Sequence, residues 1–171
     1  ILFGPSGVGK SAYAWYLVNK QINKMIPNLY FSLEMGIVSN MDRLCAQRLG
    51  VPYKLFYPDY HSDQIVPPDV TDLLEKEKFK LKHHYKYFQY IDADSISLYD
   101  IENTIMKYKR KMGVDYICAT IDLLTMVKDF NKSGGGDSTA NKYEKAMNEL
   151  SYLAKRTKSH IVGVVQGKRP S

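Results

Sequence analysis

The sequence predicts an α/β domain, a mostly parallel twisted sheet with helices on both faces. Three observations carry this. Short apolar runs alternate with amphipathic stretches of helical period, the pattern of parallel strands joined by helical crossovers. The run "FGPSGVGKS", Phe3 to Ser11, fits G-x-x-x-x-G-K-[ST] between an apolar run and a helical one. The chain has 171 residues, 44% hydrophobic and 25% charged, enough for one domain with a sizeable core.

The elements follow in order. Residues 1–3 read as the end of an apolar strand, and 10–23 ("KSAYAWYLVNKQIN") as a helix. Residues 28–33 ("NLYFSL") read as a strand. Residues 38–49 read as a helix, with Met41, Leu44, Cys45 and Leu49 at helical spacing. The proline- and tyrosine-rich stretch that follows is a loop or small insertion spanning about residues 51–86, with a helix expected over 70–82. Residues 87–91 read as a strand. Residues 98–112 read as a helix striped by Ile101, Ile105, Tyr108 and Met112 and stopped by Gly113. Residues 116–121 form a strand apolar enough for burial on both faces. Residues 128–142 ("KDFNKSGGGDSTANK") read as a flexible loop. Residues 143–157 read as a helix with Tyr143, Met147, Leu150 and Leu153 or Ala154 inward, and 161–165 as the last strand.

Composition narrows the function classes. No apolar run approaches the roughly 18 residues of a membrane span, and with the first residues reading as a strand no signal peptide is expected. Cys45 and Cys118 lack metal-site spacing and suggest no disulfide framework, which fits a reducing cytoplasm. The net charge of +6 favours an anionic partner. Half of it comes from "EKEKFKLKHHYK", read as a solvated helix face in preference to a nucleic-acid patch. A three-residue strand before the loop, and an end just after an apolar strand, read as a domain cut from a longer chain. The 14 tyrosines suggest packing rather than base stacking.

The chemistry is concentrated in four places. Gly4, Pro5, Ser6, Gly7, Val8, Gly9, Lys10, Ser11 and Ala12 make the candidate nucleotide-binding segment. Its glycines let successive backbone N–H groups face one phosphate chain. Lys10 sets a compact positive charge against the outer phosphates. The Ser11 hydroxyl suits Mg²⁺, which takes oxygen ligands. Asp122, at the end of "YICATID", is the acid expected for the same ion. Leu123 follows it, so the group that deprotonates or orients the attacking water is sought elsewhere. Glu34 closes the "NLYFSLE" strand and is the candidate. Gln166 follows "HIVGVV", where an amide at a strand end can sense the γ-phosphate. A parallel sheet gathers all four at the carboxyl ends of its strands.

These residues resemble a known family. "FSLEM" at residues 31–35 is similar to the hallmark after the second core strand of DnaB-type replicative DNA helicases, hexameric motors of RecA-like fold. In order, "GPSGVGKS", an arginine-bearing helix ending "RLGV", "IDLLTM", "MNELSYLAKRTKSH" and "IVGVVQ" also match. The resemblance implies that Lys10 and Ser11 hold phosphate and Mg²⁺, Glu34 is the catalytic base and Asp122 the Walker B acid. It implies that Gln166 couples nucleotide state to DNA-binding loops. Residues 128–142 would then face a central channel. Lys128, Lys132 and Lys142, with Lys168 and Arg169, would be placed to meet single-stranded DNA. ATP, Mg²⁺, a homohexamer, a primase and a helicase loader are implied partners, and no membrane. An arginine reaching a neighbour's ATP would lie beyond Ser171. The chain departs from the family pattern at Ser11, in place of threonine, and at Leu123, in place of tyrosine. It departs again where Gly167, Lys168 and Arg169 replace an "LNR"-like run. A filament-forming recombinase, a nucleotide switch driving protein assembly, and a small-molecule kinase are the competing readings.

Overall fold

The computed structural model describes residues 1–53, 68–131 and 139–167. Its strands are β1 (Leu2–Gly4), β2 (Asn28–Ser32), β3 (Phe88–Asp92), β4 (Ile117–Asp122) and β5 (Ser159–Gln166). Its helices are α1 (Lys10–Asn23), α2 (Ile37–Leu49), α3 (Pro68–His84), α4 (Leu98–Met112), the single turn α5 (Lys128–Asn131) and α6 (Thr139–Thr157). The five strands pair in parallel in the order β1-β5-β4-β2-β3.

Strand alternation divides the core between the two faces of the sheet. Leu29 and Phe31 of β2 enter one core with Ile101 and Ile105 of α4 and Leu150 and Leu153 of α6. Tyr30, between them, enters the other with Trp15 and Val18 of α1 and Leu44 and Cys45 of α2. On β4, Ile117, Ala119 and Ile121 join the α4/α6 side. That turns Asp122 toward the α1 side, where it meets the Tyr30 hydroxyl. β2 and β4 are buried along their whole length, which is why both read as nearly unbroken apolar runs.

Local chemistry sets the helix ends. α4 opens with a capping box between Ser97 and Asp100 and closes at Gly113, whose φ of 64° a side chain would resist. Its bounds, and those of α1, are the expected ones.

Three expectations need correction. α6 starts four residues earlier than the spacing predicts, and Met147 is 47% exposed. Ala146 takes the inward place, because the buried stripe runs through 146, 150 and 153 and leaves 147 on its flank. The segment 128–142 does not begin as a loop. Lys128 N donates to Ile96 O (3.0 Å) and the Asp129 carboxylate accepts from Leu98 N (2.7 Å), so α5 is tied to the entrance of α4. Residues 132–138 lie outside the described residues. The charged stretch before β3 is not uniformly solvated: Glu77 is 5% exposed and paired with Arg48 of α2. Burial would raise the Glu77 pKa, but the Arg48 hydrogen bond and charge outweigh that and hold it below its ordinary value. Within 51–86, residues 54–67 lie outside the described residues.

Candidate active site

The parallel register brings the carboxyl ends of four strands to one edge, with Gly4 opposite Gln166 and Ser32 opposite Asp122. The loop leaving β1 turns through left-handed backbone at Gly7 (φ 83°) and Gly9 (φ 88°). Gly9 is the N-cap of α1, and no side chain caps that helix. The first-turn N–H groups are therefore left for an anion, at the positive end of the helix dipole. Lys10 Nζ donates to Pro5 O at 2.6 Å, which folds the amine back over the loop.

A cleft of about 280 Å³ opens there. Ser6, Gly7, Gly9, Lys10, Ser11 and Ala12 line one wall, and Glu34, Met35, Arg43, Leu123 and Gln166 the rest. Lys10, Ser11, Glu34 and Gln166, expected to act together, thus share one cavity. Gly4, Pro5 and Val8, also expected in the binding segment, do not line it. Gly4 is packed so closely that a Cβ would lie 3.1 Å from a Val8 methyl.

Asp122 is not a lining residue either. Its side chain is buried, Oδ2 accepts from the Tyr30 hydroxyl at 2.6 Å, and Oδ1 has no partner among the described residues. Burial, then the Asp122 charge, pushes the Tyr30 hydroxyl far above its ordinary pKa, so it remains a donor. An unsatisfied carboxylate oxygen on the residue before cleft-lining Leu123, and a serine hydroxyl in the cleft wall, are donors of the kind Mg²⁺ takes, a hard cation that binds through one or two side chains, water and phosphate. Among the described residues no cluster of three or more His, Cys, Asp or Glu offers a protein-only cage.

Gln166 is exposed at the end of β5 and its backbone is tied on two sides. Tyr143 of α6 donates to its carbonyl at 3.2 Å, and the next residue, Gly167, donates to Gly4 O at 2.9 Å. Arg43 is the lining residue that sequence reasoning missed. Its guanidinium carbon lies 5.2 Å from the centre of the Tyr53 ring. Helical spacing puts Arg43 and Arg48, which faces α3, about 140° apart on α2 but does not say which of them meets the cleft. The usable signal is that Arg43 is two turns into the helix that starts beside Glu34, at the sheet edge. Lys128 is exposed on α5, and Lys142 falls in α6. The Lys142 side chain, Lys132, Lys168 and Arg169 lie outside the described residues.

A glycine loop at a strand end, a capless helix start behind it, and acids at neighbouring strand ends define a P-loop nucleotide-binding domain. The model of the DnaB-like helicase C terminal domain family matches residues 1–171, and the chain belongs to that family. Its sheet is the RecA-like core expected for such a domain. A solved DnaB-like replicative helicase, described with its interactions with primase, superposes with TM-score 0.78 at 18% identity, over 99% of this chain and 41% of that one. A second solved chain, described as an ATPase domain, gives TM-score 0.71 at 20% identity, over 96% of this chain and 55% of its own length. The chain therefore spans about half the length of these relatives. No curated protein matches it.

Proposed function

We propose that this chain is the ATP-hydrolysing motor of a ring-forming replicative DNA helicase, with ATP bound at the cleft between subunits. The observation that carries the reading is the convergence of Lys10, Ser11, Glu34 and Gln166, from three separate strand ends, on one cavity. The backbone N–H groups of the loop hold the phosphate chain, and Lys10 exchanges its bond to Pro5 for the outer phosphates. Ser11 and Asp122 are the residues that would hold Mg²⁺, which when bound neutralises charge on the β- and γ-phosphates. Glu34 orients the attacking water and takes its proton as the water displaces ADP in line from the γ-phosphorus. Arg43 adds a cation to the same cavity, and a neighbouring subunit supplies another. Gln166 senses the γ-phosphate, and its backbone ties carry the change to Tyr143 and α6, toward the segment expected to meet single-stranded DNA. Lys128, Lys132, Lys142, Lys168 and Arg169 would grip that strand by its phosphates. A primase and a helicase loader are the proposed further partners.

The test is ATP turnover and unwinding of a forked duplex by the full-length protein, beside Glu34→Gln. Loss of a general base costs about 10²- to 10⁴-fold, so turnover and unwinding should collapse in the variant while ATP binding persists. Turnover surviving in Glu34→Gln would remove Glu34 from the mechanism. A full-length protein that fails to unwind with its loader supplied would sink the helicase reading, and strand exchange would then favour a recombinase.

A further inference from the structure

Glu34 has no hydrogen bond or ion pair to a described residue. Its place over the cleft is therefore set by the backbone on either side. On one side, Leu33 N donates to Asp122 O at 2.6 Å. On the other, the Met35 carbonyl accepts from three directions: Ser32 Oγ at 2.5 Å, Tyr90 OH at 2.8 Å and Asn40 Nδ2 at 3.1 Å. A carbonyl has two lone pairs, so three donors over-determine where this one sits.

Asn40 is the hub of the arrangement. It is 1% exposed on α2. Beyond Met35 O, its Nδ2 reaches Tyr90 OH at 2.8 Å and Ser32 Oγ at 3.0 Å, the two hydroxyls that themselves bond the carbonyl. Its two amide hydrogens serve three acceptors, so one is shared. Its Oδ1 accepts from Trp15 Nε1 at 2.9 Å, which fixes the amide's orientation. Trp15 in turn stacks on Tyr30 with ring centroids 4.2 Å apart, and Tyr30 holds Asp122. One buried unit thus joins α1, β2, β3 and α2 around the Glu34 turn. A hydrophobic residue at 40 would pack as well and cost less desolvation, so the amide needs a reason to be there.

We propose that Asn40 is a positioning residue for Glu34, holding the Met35 carbonyl so that the carboxylate stays aimed into the phosphate cleft. This rests on Glu34 being the group that acts on the water. The Lys10 amine bonds Pro5 O and not the Met35 carbonyl, so loss of the device should fall more on kcat than on ATP binding. A catalytic group displaced by about 1 Å loses on the order of 100-fold in rate.

The experiment is steady-state ATP turnover by the full-length protein, carrying Asn40→Ala alone and in the Glu34→Gln background. Asn40→Ala should lower kcat about 10- to 100-fold with KM for ATP within about threefold. In the Glu34→Gln background it should lower the residual rate no further, because the residue it positions is already gone. An unchanged kcat, a loss confined to KM, or an equal loss in both backgrounds would overturn the proposal. Glu34→Gln turning over like the parent would instead overturn the reading beneath it. If Asn40→Ala does not fold, Tyr90→Phe decides the matter. It removes one hydroxyl and should give a loss of about threefold, vanishing in the Glu34→Gln background. Equal losses in both backgrounds would again overturn the proposal.

Discussion

Replacing Tyr30 with phenylalanine isolates one bond. The ring still stacks on Trp15, at a centroid distance of 4.2 Å, and parallel to Tyr90 at 5.9 Å, so the apolar burial is kept. What goes is the 2.6 Å bond to Asp122 Oδ2. That length belongs to the short, charge-assisted class, and a hydrogen bond to a charged group contributes about 1.5–3 kcal/mol net. The other carboxylate oxygen has no partner among the described residues, so the variant leaves the Asp122 side chain buried without its one hydroxyl donor. The expected loss is about 2 kcal/mol in the nucleotide-free protein, close to a 30-fold change in the folding constant. Urea unfolding followed by Trp15 emission should show it as a lower midpoint at unchanged slope. A non-hydrolysable ATP analogue with Mg²⁺ should return part of the loss, since it gives the carboxylate a new partner through water or metal. A Tyr30→Phe protein within about 0.5 kcal/mol of its parent, with and without nucleotide, would refute the reasoning.

Two further outcomes follow. Lys10→Ala should cost ATP affinity tenfold or more, the worth of a charge-assisted phosphate contact. It should move nucleotide-free stability by less than about 1 kcal/mol, because its Pro5 bond is only half-buried; calorimetric titration and thermal melts measure the two. Glu77 has a folded pKa below its ordinary 4.5. The unfolded chain then takes up the proton first, so the Arg48–Glu77 pair stabilises fully above that value and is lost as pH falls through and below it. Unfolding measured from about pH 6 to about pH 3 should show an acid-side decline that Glu77→Gln flattens.

The parts of the site written in local chemistry were legible in the chain. Gly4, Gly9, Lys10 and Ser11 lie within eight residues of one another, and their spacing alone marks the candidate phosphate loop. Strand ends were legible too, because in a sheet covered on both sides the apolar run stops where the chain leaves the core. Hence Glu34, Asp122 and Gln166 could be named, and a parallel sheet required them to lie along one edge. Helix stripes were read well where one face was plainly apolar, as in α4, and less well in α6, where Tyr143 packs against the core as expected but Met147, one turn on, falls outside the stripe.

What the linear order could not carry is which side chains meet across elements. Glu77 reads as one charge in a solvated run, and only α2 lying against α3 supplies Arg48 and buries it. Arg43 and Arg48 are alike in sequence, and the placement of α2 beside the P-loop sends one into the cleft and the other to α3. Asn40 and Tyr30 look like an ordinary helix amide and a strand aromatic. Their roles arise because β2 runs between β3 and β4 and beneath α1, which sets donors from distant positions around one carbonyl and one carboxylate. Sequence by itself determined the backbone pattern and the residues whose chemistry is local, since period and spacing act within a few residues. The tertiary structure decided the partners of buried polar groups, since a hydrogen bond depends on distance and angle in space, not on separation along the chain.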